Sequence, residues 1–302
     1  MRAPVRIGLA VVVLTASAAP SATGEPDSSD AEIAAAPSGR ELPRGGKKVF
    51  PRHRVVGFYG APQSPQLGEL GIGSPSSAAR RLMRQVRPYR RLEPRTRLLP
   101  AFELISVIAT AGPGPEGLYR ARQSRDVVRR YLGVAKRKRF LMLLDIQPGR
   151  STFIREAEHL REFLREPNVG IALDPEWNMG PNGVPGERIG SVGASMVNRV
   201  SRLMARVARR HHLPQKLLVV HQFTEAMLKG ERRLRARRRV ALVLNADGFG
   251  SPSQKRAKYR ELAPRARSRH PGFKLFYRED TNLMSPREVL ALEPRPRFVV
   301  YE

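Results

Sequence analysis

The sequence contains no cysteine and one tryptophan, and its 27 Asp and Glu residues are far outnumbered by 55 Lys and Arg residues. Without cysteine the chain can form neither a disulfide nor a thiolate metal site, so its stability has to come from a packed core. No apolar run approaches the roughly 20 residues that a transmembrane helix needs. No G-x-G-x-x-G follows the first predicted strand, and no G-x-S-x-G or H-E-x-x-H motif occurs. These absences disfavour dinucleotide-binding proteins, serine hydrolases and zincin-type metalloproteases.

The N-terminal region has the features of a secretory signal peptide. Two arginines precede an apolar stretch at 7–14, and an A-x-A cleavage motif follows at 16–18. We expect 1–23 to be a signal peptide that directs the chain to a secreted or cell-envelope location; an uncleaved membrane anchor is the alternative. Residues 24–49 are rich in Ala, Ser, Pro and Gly and are predicted to form a disordered linker. Residues 50–302 then form a single domain.

Eight apolar runs, separated by turn and helix patterns, dominate this domain. They lie at 54–60, 98–110, 139–149, 169–177, 216–223, 240–250, 273–280 and 297–302. Near-continuous apolar runs are typical of parallel strands that are buried on both faces. Helical spacing of apolar residues marks 151–166 and 194–212 as two of the intervening helices. The alternation predicts an α/β fold, a (β/α)8 TIM barrel whose last helix is missing or vestigial; an open doubly wound sheet is the alternative.

Two acids end the fourth run, GIALDPEW. Strand side chains alternate between faces, which places Asp174 and Glu176 on the same face as the small residues Gly170 and Ala172. We expect that face to line the barrel interior, so both acids would point into the C-terminal mouth, where barrel enzymes build their sites. Trp177 is either a stacking platform for a sugar ring or a core anchor.

Polar residues at other strand ends extend this candidate site. The predicted substrate-binding residues are Tyr59, Asp145, Gln147, Trp177, His221, Gln222, Asn245, Asp247, Tyr277 and Tyr301. Convergent carboxylates are unfavourable without a ligand, because like charges raise one another's pKa. Glu103 comes early in its strand and is expected to be a buried structural acid paired with an arginine.

Paired carboxylates suit glycoside hydrolysis, in which one acts as a general acid and another stabilises positive charge. The D-x-E element at the end of strand four resembles that of chitinase-like and lysozyme-like glycosidase barrels. The resemblance implies that Glu176 is the proton donor and Asp174 the stabiliser. A second glycosidase pattern would add Glu279 on strand seven as nucleophile, although that pattern has Asn where this chain has Pro175.

Longer segments of the chain are similar to secreted actinobacterial barrel proteins that have no established activity. The segments RVVGFYG, IALDPEW and LPQKLLVVHQF carry this likeness, which extends over most of residues 50–302.

The interpretation we favour is an exported glycoside-hydrolase-like barrel that acts on cell-wall or extracellular glycan. A non-catalytic barrel that binds glycan or the cell envelope is the first alternative. A metal-dependent hydrolase, using Asp145, Asp174, Asp247 and His221, is the second. The favoured interpretation requires no cofactor and no metal.

The formal charge of +28 predicts attraction to anionic polymers. For an exported chain those polymers are glycans and envelope polymers, and the basic runs match no nucleic-acid-binding motif. We expect no specific nucleic-acid partner, no transmembrane span and a monomer.

Overall fold

The computed structural model describes residues 41–264, 266 and 268–302, and eight parallel strands form its centre. The strands are β1 (His53–Gly60), β2 (Arg97–Ala109), β3 (Leu141–Ile146), β4 (Val169–Leu173), β5 (Lys216–Gln222), β6 (Val240–Ala246), β7 (His270–Leu275) and β8 (Phe298–Tyr301). Neighbours in the sheet follow chain order, and β1 pairs in parallel with both β2 and β8. The sheet therefore closes into a ring, which confirms the predicted (β/α)8 barrel.

Helices surround the ring and connect most of its strands. They are α1 (Pro75–Leu92), α2 (Arg125–Lys138), α3 (Phe153–His159), α4 (Ala194–Arg210), α5 (Pro252–Leu262) and α6 (Pro286–Leu290). A Ser or Thr side chain caps the N-terminus of every one except α4. Within the described residues no α-helix lies between β5 and β6.

One predicted helix is shorter than its apolar spacing indicated. The pattern over 151–166 predicted a single helix, but α3 ends at His159 and a 3₁₀ turn follows at Phe163–Arg165. Phe163 is buried all the same. The apolar spacing therefore marked burial correctly, although the backbone changes its direction before the pattern ends.

The alternation of side chains in β4 is as predicted up to the end of the strand. Val169, Ile171 and Leu173 pack in the cluster between the barrel and its helices. Ala172 belongs to the separate cluster that fills the barrel interior. The small residue Gly170 lets the neighbouring strands β3 and β5 approach closely, through Leu143 and Leu217.

The domain begins earlier in the chain than the predicted boundary between linker and domain, because residues before position 50 pack into the barrel interior. Leu42, Val49 and Phe50 are buried in the interior cluster. Gln215, at the start of β5, donates its backbone N–H to the carbonyl of Lys47 over 2.9 Å. The domain therefore includes residues from 41 onward, because the interior needs apolar side chains to close its lower end. Residues 1–40, which contain the predicted signal peptide and the rest of the predicted linker, lie outside the described residues.

Two short strand pairings lie outside the eight-stranded ring. Arg120–Arg122 runs antiparallel to the end of β2, and Val192–Gly193 pairs with Leu228–Lys229. The second pairing anchors the loop that follows β4 beside the loop that follows β5. Within the described part of the chain, no helix is long and apolar enough to cross a membrane.

We expect Gly170→Ala to lower the free energy of unfolding by roughly 1–3 kcal/mol, because the barrel interior has no room for another methyl group. A Cβ at Gly170 would lie 2.3 Å from the Leu217 carbonyl oxygen and 2.7 Å from Leu143 Cδ2. Gly112→Ala is the matched control, since a Cβ there meets nothing within 4 Å. Urea unfolding of both variants checks the prediction, and equal effects would contradict it.

Candidate functional site

The C-terminal mouth of the barrel holds a dense group of charged side chains. Carboxyl groups come from β2, β3, the turn after β4, the residue after β6 and the residue after β8, and two cationic side chains come from β5 and β7. The carboxyl groups belong to Glu103, Asp145, Asp174, Glu176, Asp247 and Glu302, and the cationic side chains to His221 and Lys274. Most of these side chains are buried, so their interactions are little screened by water.

Asp145 and Tyr59 form one wall of the mouth. The Tyr59 hydroxyl donates to Asp145 Oδ2 over 3.2 Å, and Gln147 Nε2 donates to the same hydroxyl oxygen over 3.2 Å. Gln147 is itself fixed, because its Oε1 accepts the backbone N–H of Ala109. Burial and then the Asp174 carboxylate raise the pKa of Asp145 well above its usual range.

His221 lies between two carboxylates at the centre of the mouth. Its Nδ1 is 2.8 Å from Asp247 Oδ2, and its Nε2 is 2.7 Å from Glu103 Oε1. Burial opposes protonation of the ring, but Asp247 and Glu103 outweigh it and raise the pKa of His221 well above its ordinary value. Glu103 is buried as expected, but the predicted arginine partner is wrong: the inner face of β5 presents His221 to it instead.

Lys274 on β7 is not among the predicted site residues, because it lies within an otherwise apolar run of the sequence. Its Nζ is 2.6 Å from Glu302 Oε2, 3.9 Å from Asp247 Oδ2 and 3.7 Å from the centroid of the Tyr59 ring. Burial disfavours the charged amine, but Glu302 and Asp247 outweigh it and raise the pKa of Lys274. The side chain therefore carries a buried positive charge among the acids.

Asp247 and Asn245 extend the polar wall along β6. Asn245 Nδ2 donates to Asp247 Oδ1 and lies 3.4 Å from His221 Nδ1. Burial alone would raise the pKa of Asp247, but His221 and Lys274 reverse this and lower it. These two cationic neighbours thus favour the ionised form of Asp247.

Asp174 and Glu176 lie on a turn after β4, not on the strand itself. The strand ends at Leu173, and Pro175–Trp177 forms a 3₁₀ turn. Gly190 donates its backbone N–H to the Glu176 carbonyl over 2.7 Å, so the loop after β4 folds back over the turn. Asp174 is 7% exposed, and Trp177 is half-buried on the same turn.

The two acids of this turn differ in their protonation. Burial raises the pKa of Asp174 to about 6, although His221 and Lys274 act against the shift. Burial and then the Asp174 carboxylate raise the pKa of Glu176 to about 8. Glu176 therefore has the higher pKa of the pair and Asp174 ionises first, which is the division of labour that general acid catalysis requires.

Gln222 and Tyr301 do not line the mouth, so their predicted roles in substrate binding need correction. Gln222 Nε2 donates to the Leu262 carbonyl at the end of α5, and the Tyr301 hydroxyl is 2.6 Å from the Tyr89 hydroxyl on α1. Each follows or precedes an inward-facing position by one residue. Strand alternation therefore turns both toward the helices.

Tyr277 and Glu279 come after the end of β7 at Leu275 and lie at the rim of the mouth beside Glu302. The Tyr277 ring stacks on Tyr301 and its hydroxyl donates to Gln85 on α1 over 2.9 Å. Glu279 is exposed, and with Tyr277 it lines a shallow groove of about 30 Å³ at the rim. The inward position that the second glycosidase pattern would give to Glu279 belongs to Lys274.

Comparison with solved structures gives distant likenesses of fold. One is an oxaloacetate acetylhydrolase in complex with 3,3-difluorooxalacetate, at 17% identity over 83% of this chain and 75% of the other, with a TM-score of 0.47. Another is a hyperthermophilic endo-β-1,4-glucanase in complex with substrate, at 8% identity over 67% of this chain and 76% of the other, with a TM-score of 0.38. No protein-family model and no curated protein matches the sequence. Likenesses this distant do not indicate an activity, so the chemistry has to be inferred from the side chains.

Proposed function

We propose that this chain is an exported glycoside hydrolase that acts on cell-wall or other extracellular glycan. The observation that supports it best is the acid pair after β4, where the pKa of Glu176 is raised to about 8 and that of Asp174 to about 6. A carboxyl group that keeps its proton at neutral pH, beside one that has lost it, is suited to cleaving a glycosidic bond.

In the proposed reaction Glu176 donates its proton to the glycosidic oxygen. The bond between that oxygen and the anomeric carbon breaks, and its electron pair leaves with the oxygen. The Asp174 carboxylate stabilises the positive charge that develops on the sugar ring. Water then adds to the anomeric carbon and returns a proton to the Glu176 carboxylate, which restores the acid. These are the roles that the D-x-E resemblance implies for the two residues.

The surroundings of the pair agree with a carbohydrate substrate. Trp177 is half-buried on the same turn, where its ring can stack on a sugar. The predicted signal peptide and the charge of +28 motivate an extracellular location and attraction to an anionic envelope polymer. Export, the glycan and the monomeric state are parts of the proposal.

We expect release of reducing ends from peptidoglycan and chitin-type polymers to follow a bell-shaped pH profile. Activity should fall above about pH 8, as Glu176 loses the proton that it must donate, and below about pH 6, as Asp174 gains a proton and loses its charge. Initial rates of the full-length chain between pH 4 and pH 10 check this. Asp174→Asn should remove most of the activity together with the acidic limb.

Inactivity on a broad glycan panel would refute the hydrolase. The same preparation then tests the alternative of a binding barrel through co-sedimentation with isolated cell walls over a salt series. Binding that is lost by about 1 M salt, where the Debye length is only about 3 Å, would assign retention to the basic surface.

A further inference from the structure

A second cluster of ligating side chains lies inside the barrel and takes no part in the proposed hydrolysis. It consists of Glu103 on β2, Asp145 on β3 and His221 on β5, all of them buried. Asp145 is paired in register with Ala172, which comes two residues before Asp174. The cluster therefore lies deeper in the barrel than the acid pair. We propose that Glu103, Asp145 and His221 bind a divalent transition-metal cation in the barrel interior.

The spacing of the three residues fits one shared cation. Each offers a ligand atom, and these atoms lie within 4.8 Å of one another. Metal–ligand distances of about 2.0–2.2 Å place the ligand atoms of one cation roughly 3–4.4 Å apart. Displacements of the ligand atoms by a few tenths of an ångström, through small side-chain rotations, are therefore enough to bring the three atoms around an ion.

Unpartnered carboxylate oxygens are the second, independent indication. Within the described part of the chain, Glu103 Oε2 and Asp145 Oδ1 are buried and have no hydrogen-bond partner. Both side chains are 0% exposed. A buried carboxylate oxygen without a partner is unfavourable, and a cation would satisfy both oxygens at once.

Neighbouring side chains already orient two of the three ligands as they do around protein-bound metals. Asp247 Oδ2 is 2.8 Å from His221 Nδ1, which leaves Nε2 as the ligating nitrogen. Tyr59 holds Asp145 through Oδ2 and leaves Oδ1 available. A carboxylate on the outer nitrogen of a ligating histidine fixes the ring and its tautomer, and such outer contacts matter for metal affinity. Binding through Nε2 would require that nitrogen to give up its proton and its present contact with Glu103 Oε1, so the cation would replace a proton at this position.

The donor set indicates which cation the site would take. One imidazole nitrogen and two carboxylates suit Mn²⁺ or Zn²⁺, whereas Mg²⁺ and Ca²⁺ favour oxygen ligands alone. The interior also carries more carboxyl groups than cationic side chains, and a divalent cation would reduce their mutual repulsion. Metal binding at this site does not require glycosidase activity, so the metal-site proposal can be tested independently of the proposed function.

Titration of the full-length, chelator-treated chain with Mn²⁺, followed by calorimetry and by loss of the free-ion paramagnetic resonance signal, tests the site. We expect one equivalent to bind, and Glu103→Gln and Asp145→Asn each to weaken binding at least about tenfold. A charge-matched control, Glu187→Gln on the exposed loop after β4, should stay within about threefold of wild type. A parallel titration with Mg²⁺ should show weaker binding.

Absence of stoichiometric Mn²⁺ binding by the wild-type chain would overturn the proposal, whatever the variants do. Equal weakening in Glu187→Gln would also overturn it, because loss of any acid on this side of the barrel would then weaken binding and no defined site would be needed. Circular dichroism and thermal melts without metal establish that each variant is folded. Since no substrate is present, the outcome is independent of any hydrolysis.

Discussion

Replacing Glu176 with Gln is expected to lower kcat for glycan hydrolysis by about 10²–10⁴-fold, with a small change in KM. Gln keeps the shape and the hydrogen-bonding capacity of the side chain but has no proton to give to the leaving oxygen. Substrate contacts elsewhere in the mouth are untouched, so the loss should appear in kcat. Steady-state rates on whichever polymer the wild-type chain cleaves best measure it.

The same variant should be more stable than the wild type at alkaline pH, which separates lost chemistry from lost folding. The pKa of Glu176 is about 8 in the folded chain, against a usual value of 4.5. A carboxyl group whose pKa is raised by folding favours the folded state only while it is protonated, so the wild type loses stability as pH rises from about 4.5 to about 8. Gln does not ionise, and we expect Glu176→Gln to gain roughly 1–3 kcal/mol over the wild type at pH 8 and little at pH 4.

Glu187→Gln is the control for both measurements. Glu187 lies on the loop that follows the same turn and is exposed, so the substitution should leave kcat and stability within experimental error. Retention of more than about a tenth of wild-type activity by Glu176→Gln would show that another group donates the proton.

Strand count and closure were predictable because each β-strand is buried on both faces. That burial produces the continuous apolar runs, such as the one that contains β5, that set the number of strands. Alternation within β4 then gave the inward position of Asp174. It could not give the ends of the strands: β4 ends at Leu173 and β7 at Leu275, where hydrogen bonding to neighbouring strands stops. Asp174 directly follows β4 and still donates its backbone N–H to the Ile146 carbonyl, but further along, as at Glu176 and Tyr277, period-two reasoning no longer applies.

The errors among the candidate residues have the same physical origin. Polar residues at strand ends were treated alike, yet Gln222 and Tyr301 face the helices because each is adjacent in sequence to an inward-facing position. A polar side chain that is buried against a helix needs only one hydrogen-bond partner there. In the sequence such a residue cannot be distinguished from one that faces a ligand.

Lys274 could have been found from the alternation that located Asp174. In β4 the inward positions run from small residues to an acid, and in β7 the inward Gly272 precedes Lys274 in the same manner. A Cβ at Gly272 would lie 2.5 Å from Asn245 Oδ1, so this position is as crowded as Gly170. The partners of Glu103 could not be inferred, because a contact between β2 and β5 spans the barrel and depends on its closed geometry.

Replacing Lys274 with Met is expected to lower the free energy of unfolding by roughly 3–5 kcal/mol at pH 7.5, because it removes one partner from a buried ion pair. Met preserves much of the apolar stem, so the main loss is the positive charge. Glu302 Oε2, now 2.6 Å from the amine, and Asp247 Oδ2 would keep their negative charges without it. Urea unfolding measures the loss.

The pH dependence of this loss identifies its cause. Lys274 lowers the pKa of both Asp174 and Glu176, so its removal raises the folded-state pKa of these acids further above the unfolded values. Groups raised in this way destabilise the folded state above their unfolded pKa and not below it, so the deficit should shrink as the pH falls from 7.5 toward 4.

Two further variants make the interpretation specific to the buried charge. Lys258→Met removes a surface lysine that pairs with Glu261 over 3.1 Å, and we expect a loss below about 1 kcal/mol. Adding Glu302→Gln to Lys274→Met should recover part of the stability, because one uncompensated carboxylate is then removed. A Lys274→Met deficit that is the same at pH 4 and pH 7.5, and that Glu302→Gln does not relieve, would mean that the lysine stem, and not its charge, stabilises the mouth.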